Sequence, residues 1–111
     1  MKLPVLALGV WGVSVALCQP GPSRPPSPKR TPVSISRFAF DPLELTVSLG
    51  DTVVWVNADP LRHTATADSG AWSSPELSQG QRFVHVPNRV GRFPYHCAAH
   101  PVMRAVVVVR D

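Results

Sequence analysis

The residues with the clearest chemical potential lie together near the end of the chain, in a loop between two strand-like segments. Cys97, His100 and Met103 form the pattern C-x2-H-x2-M, which places a thiolate, an imidazole and a thioether close together. Soft sulfur ligands suit Cu(I), imidazole suits both copper oxidation states, and a weak axial Met is typical of copper sites that transfer electrons. A second imidazole must come from elsewhere in the chain, and His63 is the leading candidate.

Each of these residues also has an ordinary structural explanation. An isolated cysteine in a strand is usually a small buried hydrophobe, and an isolated methionine usually fills a gap in a core. The combination favours a metal site, because Cys97 is the only cysteine after residue 18 and Met103 is the only methionine besides the initiator. Zinc is a poor alternative, since zinc sites are built from Cys, His and carboxylates rather than thioethers. A Cys–His protease pair would call for a larger fold and a cleft.

The distribution of charge argues against a nucleic-acid binder. The 111 residues include 11 Lys and Arg and 7 Asp and Glu, but the excess of positive charge lies before residue 33. From residue 33 to residue 111 seven arginines balance seven acidic residues, so this part is formally neutral. A protein that binds nucleic acid needs a cationic footprint on its folded surface. The sequence therefore predicts no nucleic-acid partner.

The first 18 residues are typical of an export signal. Lys2 precedes an apolar run that contains Pro and Gly and is shorter than the roughly 20 residues of a membrane span. We expect cleavage after Cys18 and a periplasmic protein; the alternatives are a lipid on Cys18 or an uncleaved membrane anchor. Residues 19–32 are rich in Pro and Ser and are predicted to be a disordered linker. The folded domain is predicted to span residues 33–111.

The predicted domain consists of short strands. Apolar residues alternate with polar ones, turn residues separate the segments, and no long window keeps a helical period. We predict six or seven strands in an all-β fold, a small antiparallel sandwich or barrel. Alternation places Cys97 on the same side as Phe93 and Tyr95, so its sulfur is expected to point inward. A domain with a core this small is only marginally stable without a cross-link such as a disulfide or a metal, and a bound metal would provide one.

From Phe38 to Val109 the chain resembles the cupredoxins, the small blue copper proteins, and in particular the branch of plastocyanin, pseudoazurin and amicyanin. The two residues between His100 and Met103 match the amicyanin-like loop, whereas plastocyanin-like loops have four. Many members place Asn directly after the first His, where this chain has Thr64. The matching segments are Phe40-Asp41-Pro42, Leu45-x-Val47-x-x-Gly50-Asp51, Val54-Trp55-x-Asn57, His63-Thr64-Ala65-Thr66-Ala67, Gly91-x-Phe93-x-Tyr95-x-Cys97 and His100-Pro101-x-Met103.

The resemblance implies that the fold is a small antiparallel Greek-key β-sandwich. It further implies one type 1 copper ion per chain, with His63, Cys97, His100 and Met103 as its ligands. It also implies an electron carrier and not an enzyme, with no catalytic residue. Its partners would be redox proteins such as a c-type cytochrome, a dehydrogenase or an oxidase that dock near His100, and we expect a monomer. Asn57 falls where the family has an Asn that ties the ligand loops together near the thiolate.

Two further histidines are expected to lie outside the site. His85 and His96 alternate away from the ligand set and are predicted to be exposed. Two other classes of protein are the alternatives: an exported copper-delivery module and a copper-free structural sandwich. A delivery module should use an open, Met-rich site, and Met103 standing alone argues against it.

Overall fold

The computed structural model describes residues 27–111, so the predicted export signal and residues 19–26 of the predicted linker lie outside the described residues. Within the described part, no helix is long and apolar enough to cross a membrane. The expected all-β fold is confirmed. The strands, in chain order, are β1 (Arg30–Ser36), β2 (Ala39–Asp41), β3 (Glu44–Ser48), β4 (Thr52–Asn57), β5 (Thr66–Ala67), β6 (Arg82–His85), β7 (Gly91–His96) and β8 (Arg104–Arg110).

These strands form two sheets of four, which confirms the predicted sandwich. The first sheet has the order β2-β1-β4-β6 and the second has the order β3-β8-β7-β5. The pairing is mixed and not wholly antiparallel, because β1 with β4 and β3 with β8 run parallel. The chain leaves the first sheet after β2, crosses to the second as β3 and returns as β4. Such a crossover is what a parallel pair requires.

Strand β1 begins earlier than the predicted domain boundary. Thr31 and Pro32 are register partners of Val53 and Val54, so the folded part starts at Arg30 and not at Val33. Strand β2 pairs only with residues 34–36 of β1, so on that side Pro32 has no neighbouring strand. Proline is tolerated at such an edge because its missing N–H costs no ladder hydrogen bond.

The core between the sheets is aromatic and β-branched. Trp55 and Tyr95 are fully buried, and their rings meet edge to face with centroids 5.5 Å apart. Phe40 packs on Tyr95 from the other side at 4.7 Å. Burial raises the pKa of Tyr95 to about 12, so the phenol stays neutral. Because Tyr95 lies two residues before Cys97, this packing fixes the end of β7 where the thiol emerges.

Three connections meet at one end of the sandwich. The β1–β2 hairpin turns at Arg37 and Phe38, and β4 ends beside it, since Ile35 and Asn57 are register partners. The third connection, residues 97–103, joins β7 to β8. Every residue of the proposed ligand set lies in the segment after β4 or in the β7–β8 loop. The topology therefore brings the chemistry of two distant sequence segments to one place.

At the opposite end of the sandwich, the Asp51 side chain joins Lys29, just before β1, to Ser48 at the end of β3. Its carboxylate accepts hydrogen bonds from the backbone N–H of Ser48 at 2.9 Å and of Lys29 at 3.0 Å. These two donors hold the pKa of Asp51 below its ordinary value of 3.8, with burial acting in the opposite direction. A carboxylate whose pKa is depressed in the folded state stabilises that state above the unfolded pKa. The contribution is lost as pH falls through the folded pKa.

We therefore expect Asp51→Asn to lower the free energy of unfolding at neutral pH, and this deficit to shrink in acid as the wild-type carboxylate becomes protonated. Urea unfolding of the metal-free protein, followed by tryptophan fluorescence at a series of pH values, measures the deficit. Asp111→Asn, at an exposed position, is the matched control and should change little. A deficit for Asp51→Asn that is the same in strong acid as at neutral pH would contradict the role given to its ionised carboxylate.

Candidate metal centre

His63, Cys97 and His100 converge at the end of the sandwich where the three connections meet. His63 follows β4 and is pinned by a two-way backbone bridge to Leu77, with N–O distances of 3.2 and 2.8 Å. Cys97 directly follows β7 and is fully buried, as the alternation predicted. His100 lies in the β7–β8 loop and is half-buried. One ligand atom from each residue lies within 4.8 Å of the others.

The donor atoms have the spacing of ligands that share one ion. The Cys97 Sγ lies 3.7 Å from His63 Nδ1 and 3.6 Å from His100 Nδ1. Metal bonds of about 2.0 Å to nitrogen and about 2.3 Å to sulfur, opened to a tetrahedral or trigonal angle, put the two donors roughly 3.5 to 3.7 Å apart. A thiol with two imidazoles is also a donor set that suits copper. The residues present therefore fit a copper ion.

Two consecutive turns build the β7–β8 loop. The N–H of His100 donates to the Cys97 carbonyl at 3.2 Å, and the N–H of Met103 donates to the His100 carbonyl at 2.9 Å. The N–H of Cys97 closes the loop by donating to the Met103 carbonyl at 3.1 Å. The spacing C-x2-H-x2-M is thus the spacing of these turns, and it holds Met103 at the base of the loop. The Met103 side chain is buried.

Thr64, which stands where many cupredoxins have Asn, connects the His63 segment to the β7–β8 loop. Its backbone N–H points at the Cys97 Sγ at 3.4 Å, and its hydroxyl accepts a hydrogen bond from the Ala98 N–H at 2.8 Å. The same hydroxyl lies 2.9 Å from the hydroxyl of Thr66. A donor to a ligating sulfur tunes the metal, so with a metal bound to Cys97 the Thr64 N–H would affect the electronic environment of the thiolate as well as its geometry.

Asp59 orients the His63 ring. Its Oδ2 lies 2.8 Å from His63 Nε2, and both side chains are buried. The hydrogen bond from His63 is the largest cause of a lowered pKa at Asp59, with burial acting against it and the Phe38 and Leu61 N–H groups adding to it. Because an ionised carboxylate can only accept, Nε2 is the ring nitrogen that donates to Asp59, and Nδ1, which faces Cys97, is the nitrogen that would bind a metal. The sequence analysis did not identify Asp59 as part of the site.

Asn57 has a different set of contacts from the one expected. Its side-chain amide donates to the carbonyls of Leu61 at 2.9 Å and Leu77 at 2.7 Å, and its oxygen accepts from the Asp59 N–H at 2.9 Å. These bonds tie the His63 segment to itself and to its Leu77 bridge. Among the described residues it is Thr64 that links the His63 segment to the loop that carries Cys97, so the expectation that Asn57 ties the two loops together near the thiolate is corrected.

Phe38 is the other residue that sequence reasoning missed. Its ring meets the His63 ring edge to face at 5.4 Å and the His100 ring at 5.3 Å between centroids. The two imidazoles also meet each other, at 5.1 Å. An Arg-Phe pair carries no turn signal, so nothing in the sequence indicated that a hairpin would place an aromatic ring at the site.

His85 and His96 lie outside the ligand group, as predicted, but both are half-buried and not exposed. His85 stacks on Trp72 with ring centroids 4.9 Å apart, and burial lowers the pKa of His85 below 6.5. His96 Nδ1 lies 2.5 Å from Asp68 Oδ1, and the other carboxylate oxygen of Asp68, Oδ2, accepts a hydrogen bond from Arg104 at 3.4 Å. Cross-sheet packing and a charge partner cover these rings, and neither can be read from alternation alone.

The proteins that this chain resembles in sequence and structure include copper-binding cupredoxins. No family model matches the chain. The amicyanin of Paracoccus denitrificans is 33% identical over 82 residues, which is 69% of this chain and 63% of the relative, so the chain spans a little under two thirds of that protein. A purple cupredoxin from Nitrosopumilus maritimus superimposes with a TM-score of 0.66 at 29% identity, over 71% of this chain and 98% of the other.

A reduced Cu(I) form of an amicyanin variant, solved at pH 4, superimposes with a TM-score of 0.70 at 30% identity, covering 73% of this chain and 82% of the other. The two-sheet fold and the converging His, Cys and His side chains are those of this class, and the chain belongs to the cupredoxin family. Within the family it is similar to the amicyanins, as the short loop between Cys97 and Met103 predicted.

Proposed function

We propose that this protein is a one-electron carrier that cycles between Cu(I) and Cu(II) at a single type 1 site. The ligands would be His63, Cys97, His100 and Met103. The observation that carries the proposal is the buried convergence of one thiol and two imidazole nitrogens from two separate loops, with a backbone N–H aimed at the sulfur. Copper, when bound, supplies the redox couple, and the chain supplies a fixed donor set.

The chain's own residues keep that donor set in place. Asp59 fixes the His63 ring, Thr64 links the His63 segment to the loop that carries Cys97, and the turn hydrogen bonds fix the remaining ligands. Donors that do not move when the charge on the metal changes suit a couple whose two states share one geometry. This property supports electron transfer over delivery, because a delivery site must open to release its metal.

Four protein ligands would leave no open position for a substrate, so we propose no catalytic residue and no enzymatic activity. Electrons would pass at the His100 edge of the site, where Leu61 and Val102 are exposed, Val102 to 90%. A small apolar surface of this kind suits weak, short-lived redox encounters. The partners we propose are redox proteins such as a c-type cytochrome, a dehydrogenase or an oxidase, and the carrier itself would be a monomer.

We further propose that the carrier is exported to the periplasm. The support is the sequence of residues 1–18, with Lys2, a short apolar run and small residues before the proposed cleavage after Cys18. The mass of the mature protein should then correspond to a chain that starts at Gln19. Acyl chains on Cys18, or an intact residue 1–18 segment, would replace this proposal with a membrane-tethered carrier.

Addition of Cu(II) to the metal-free protein tests the function. A type 1 carrier should bind one copper per chain and develop an intense visible absorption, which arises from charge transfer between the Cys97 thiolate and the metal. A weakly coloured complex that prefers Cu(I) would indicate a delivery module. No binding would indicate a copper-free sandwich and would overturn the proposal.

A further inference from the structure

The β1–β2 hairpin holds two consecutive residues in the left-handed region. Arg37 has φ of 52° and Phe38 has φ of 58°, and the flanking Ser36 and Ala39 are register partners. Two-residue hairpin loops with positive φ at both positions strongly favour Asn and Gly, because a Cβ crowds the backbone there. A bulky residue in this conformation persists only when the surroundings fix it, and such positions cluster at functional sites.

The surroundings that fix Phe38 belong to the metal centre. The backbone N–H of Phe38 donates to Asp59 Oδ2 at 3.2 Å, and the same oxygen lies 2.8 Å from His63 Nε2. One buried carboxylate oxygen therefore holds both the strained turn and the ring of a proposed ligand. The turn and the site are a single hydrogen-bonded unit, although they are 25 residues apart in sequence between Phe38 and His63.

The Phe38 ring packs against both imidazoles. It stands nearly perpendicular to the His63 ring, at 80°, and to the His100 ring, at 84°. It is 48% exposed, so one side of the ring packs on the histidines while the other faces solvent. Edge-to-face contacts of this kind are favourable beyond the area they bury. His100 lies in the β7–β8 loop and is half-buried, and its ring also contacts the His63 ring at 5.1 Å and the Cys97 sulfur at 3.6 Å.

We infer that Phe38 is a positioning residue of the metal centre, a cap that holds the two imidazoles beside Cys97 and slows the exchange of the metal with solvent. The inference rests on the proposed copper site. Strain in the turn is offset by the ring contacts and by the Asp59 hydrogen bond. An aromatic cap at the exposed edge closes the path by which water or a chelator would reach His100.

The test is the rate at which an excess of a strong chelator removes copper from the loaded protein, measured as loss of the visible band and as copper left in the protein after gel filtration. Phe38→Gly removes the ring and suits the positive φ, so the fold should be kept. We expect release to be about tenfold faster or more, the scale typical of losing a supporting residue at a metal site. Phe38→Asn, which also tolerates this conformation, gives a second ring-free variant.

Arg37→Gly is the matched control, because it relieves the same turn and leaves the ring in place. It should release copper at the wild-type rate, and Phe38→Tyr, which keeps an aromatic ring, should do so too. Wild-type release rates in both ring-free variants would overturn the inference, as would equal acceleration in Arg37→Gly, which would trace the effect to the backbone of the turn. Failure of the wild-type protein to bind copper would instead overturn the proposed function.

Discussion

Cys97→Ser is expected to abolish the intense visible absorption of the copper-loaded protein. The band requires a polarizable thiolate bound to the metal, and the hard hydroxyl of serine cannot replace it. Cys97 is fully buried, its sulfur lies 3.6 and 3.7 Å from the two imidazole nitrogens, and it is the only cysteine among the described residues, so no second thiolate is available there to replace it. The absorption spectrum after addition of one equivalent of Cu(II) measures the effect.

Two further variants separate the loss of the thiolate from a general loss of the site. Met103→Gln should keep a coloured site but lower the reduction potential, because a harder axial oxygen favours Cu(II), by about 59 mV for each tenfold change in relative affinity. His85→Ala, away from the site, should leave the spectrum unchanged. A Cys97→Ser protein that is still intensely coloured would show that the ligand assignment is wrong.

The closeness of Cys97 and His100 could be predicted because its signals are local. The spacing between Cys97 and His100 is that of a turn, and strand alternation decides which way the Cys97 side chain points. The turn and the alternation depend on short segments whose geometry is nearly independent of the rest of the fold. His63 was the candidate because it follows the turn that ends the Trp55 strand, and the resemblance, not local geometry, implied that it joins Cys97.

Other features depend on which segments become neighbours, and alternation carries no information about that. The parallel pairing of β1 with β4 and of β3 with β8 follows from the path of the chain between sheets. The contacts of Phe38 and Asp59 follow from that pairing, because it sets the β1–β2 hairpin beside the segment after β4. The resemblance drew attention to Asn57, but its partners Leu61 and Leu77 could not be named without these neighbours.

Thr64→Val is expected to weaken copper binding by about 10- to 100-fold, the usual cost of losing a residue that supports a metal ligand. Valine has the shape of threonine but no hydroxyl, so the hydrogen bond from the Ala98 N–H and the contact with Thr66 are both lost. These are bonds between the His63 segment and the loop that carries Cys97. Without them the two loops can separate, and the Thr64 N–H no longer points reliably at the sulfur.

Removal of the Thr64 hydroxyl should also destabilise the metal-free protein. We expect its free energy of unfolding to decrease by about 1 kcal/mol, the ordinary net value of one hydrogen bond. Competition with a chelator of known affinity measures copper binding, and urea unfolding measures stability. Thr64→Ser is the matched control: it keeps the oxygen that accepts from Ala98, so it should bind copper nearly as well as the wild type. If Thr64→Val binds copper as tightly as Thr64→Ser, the two loops are held together by the metal and their packing, and the hydroxyl bridge has no part in the affinity.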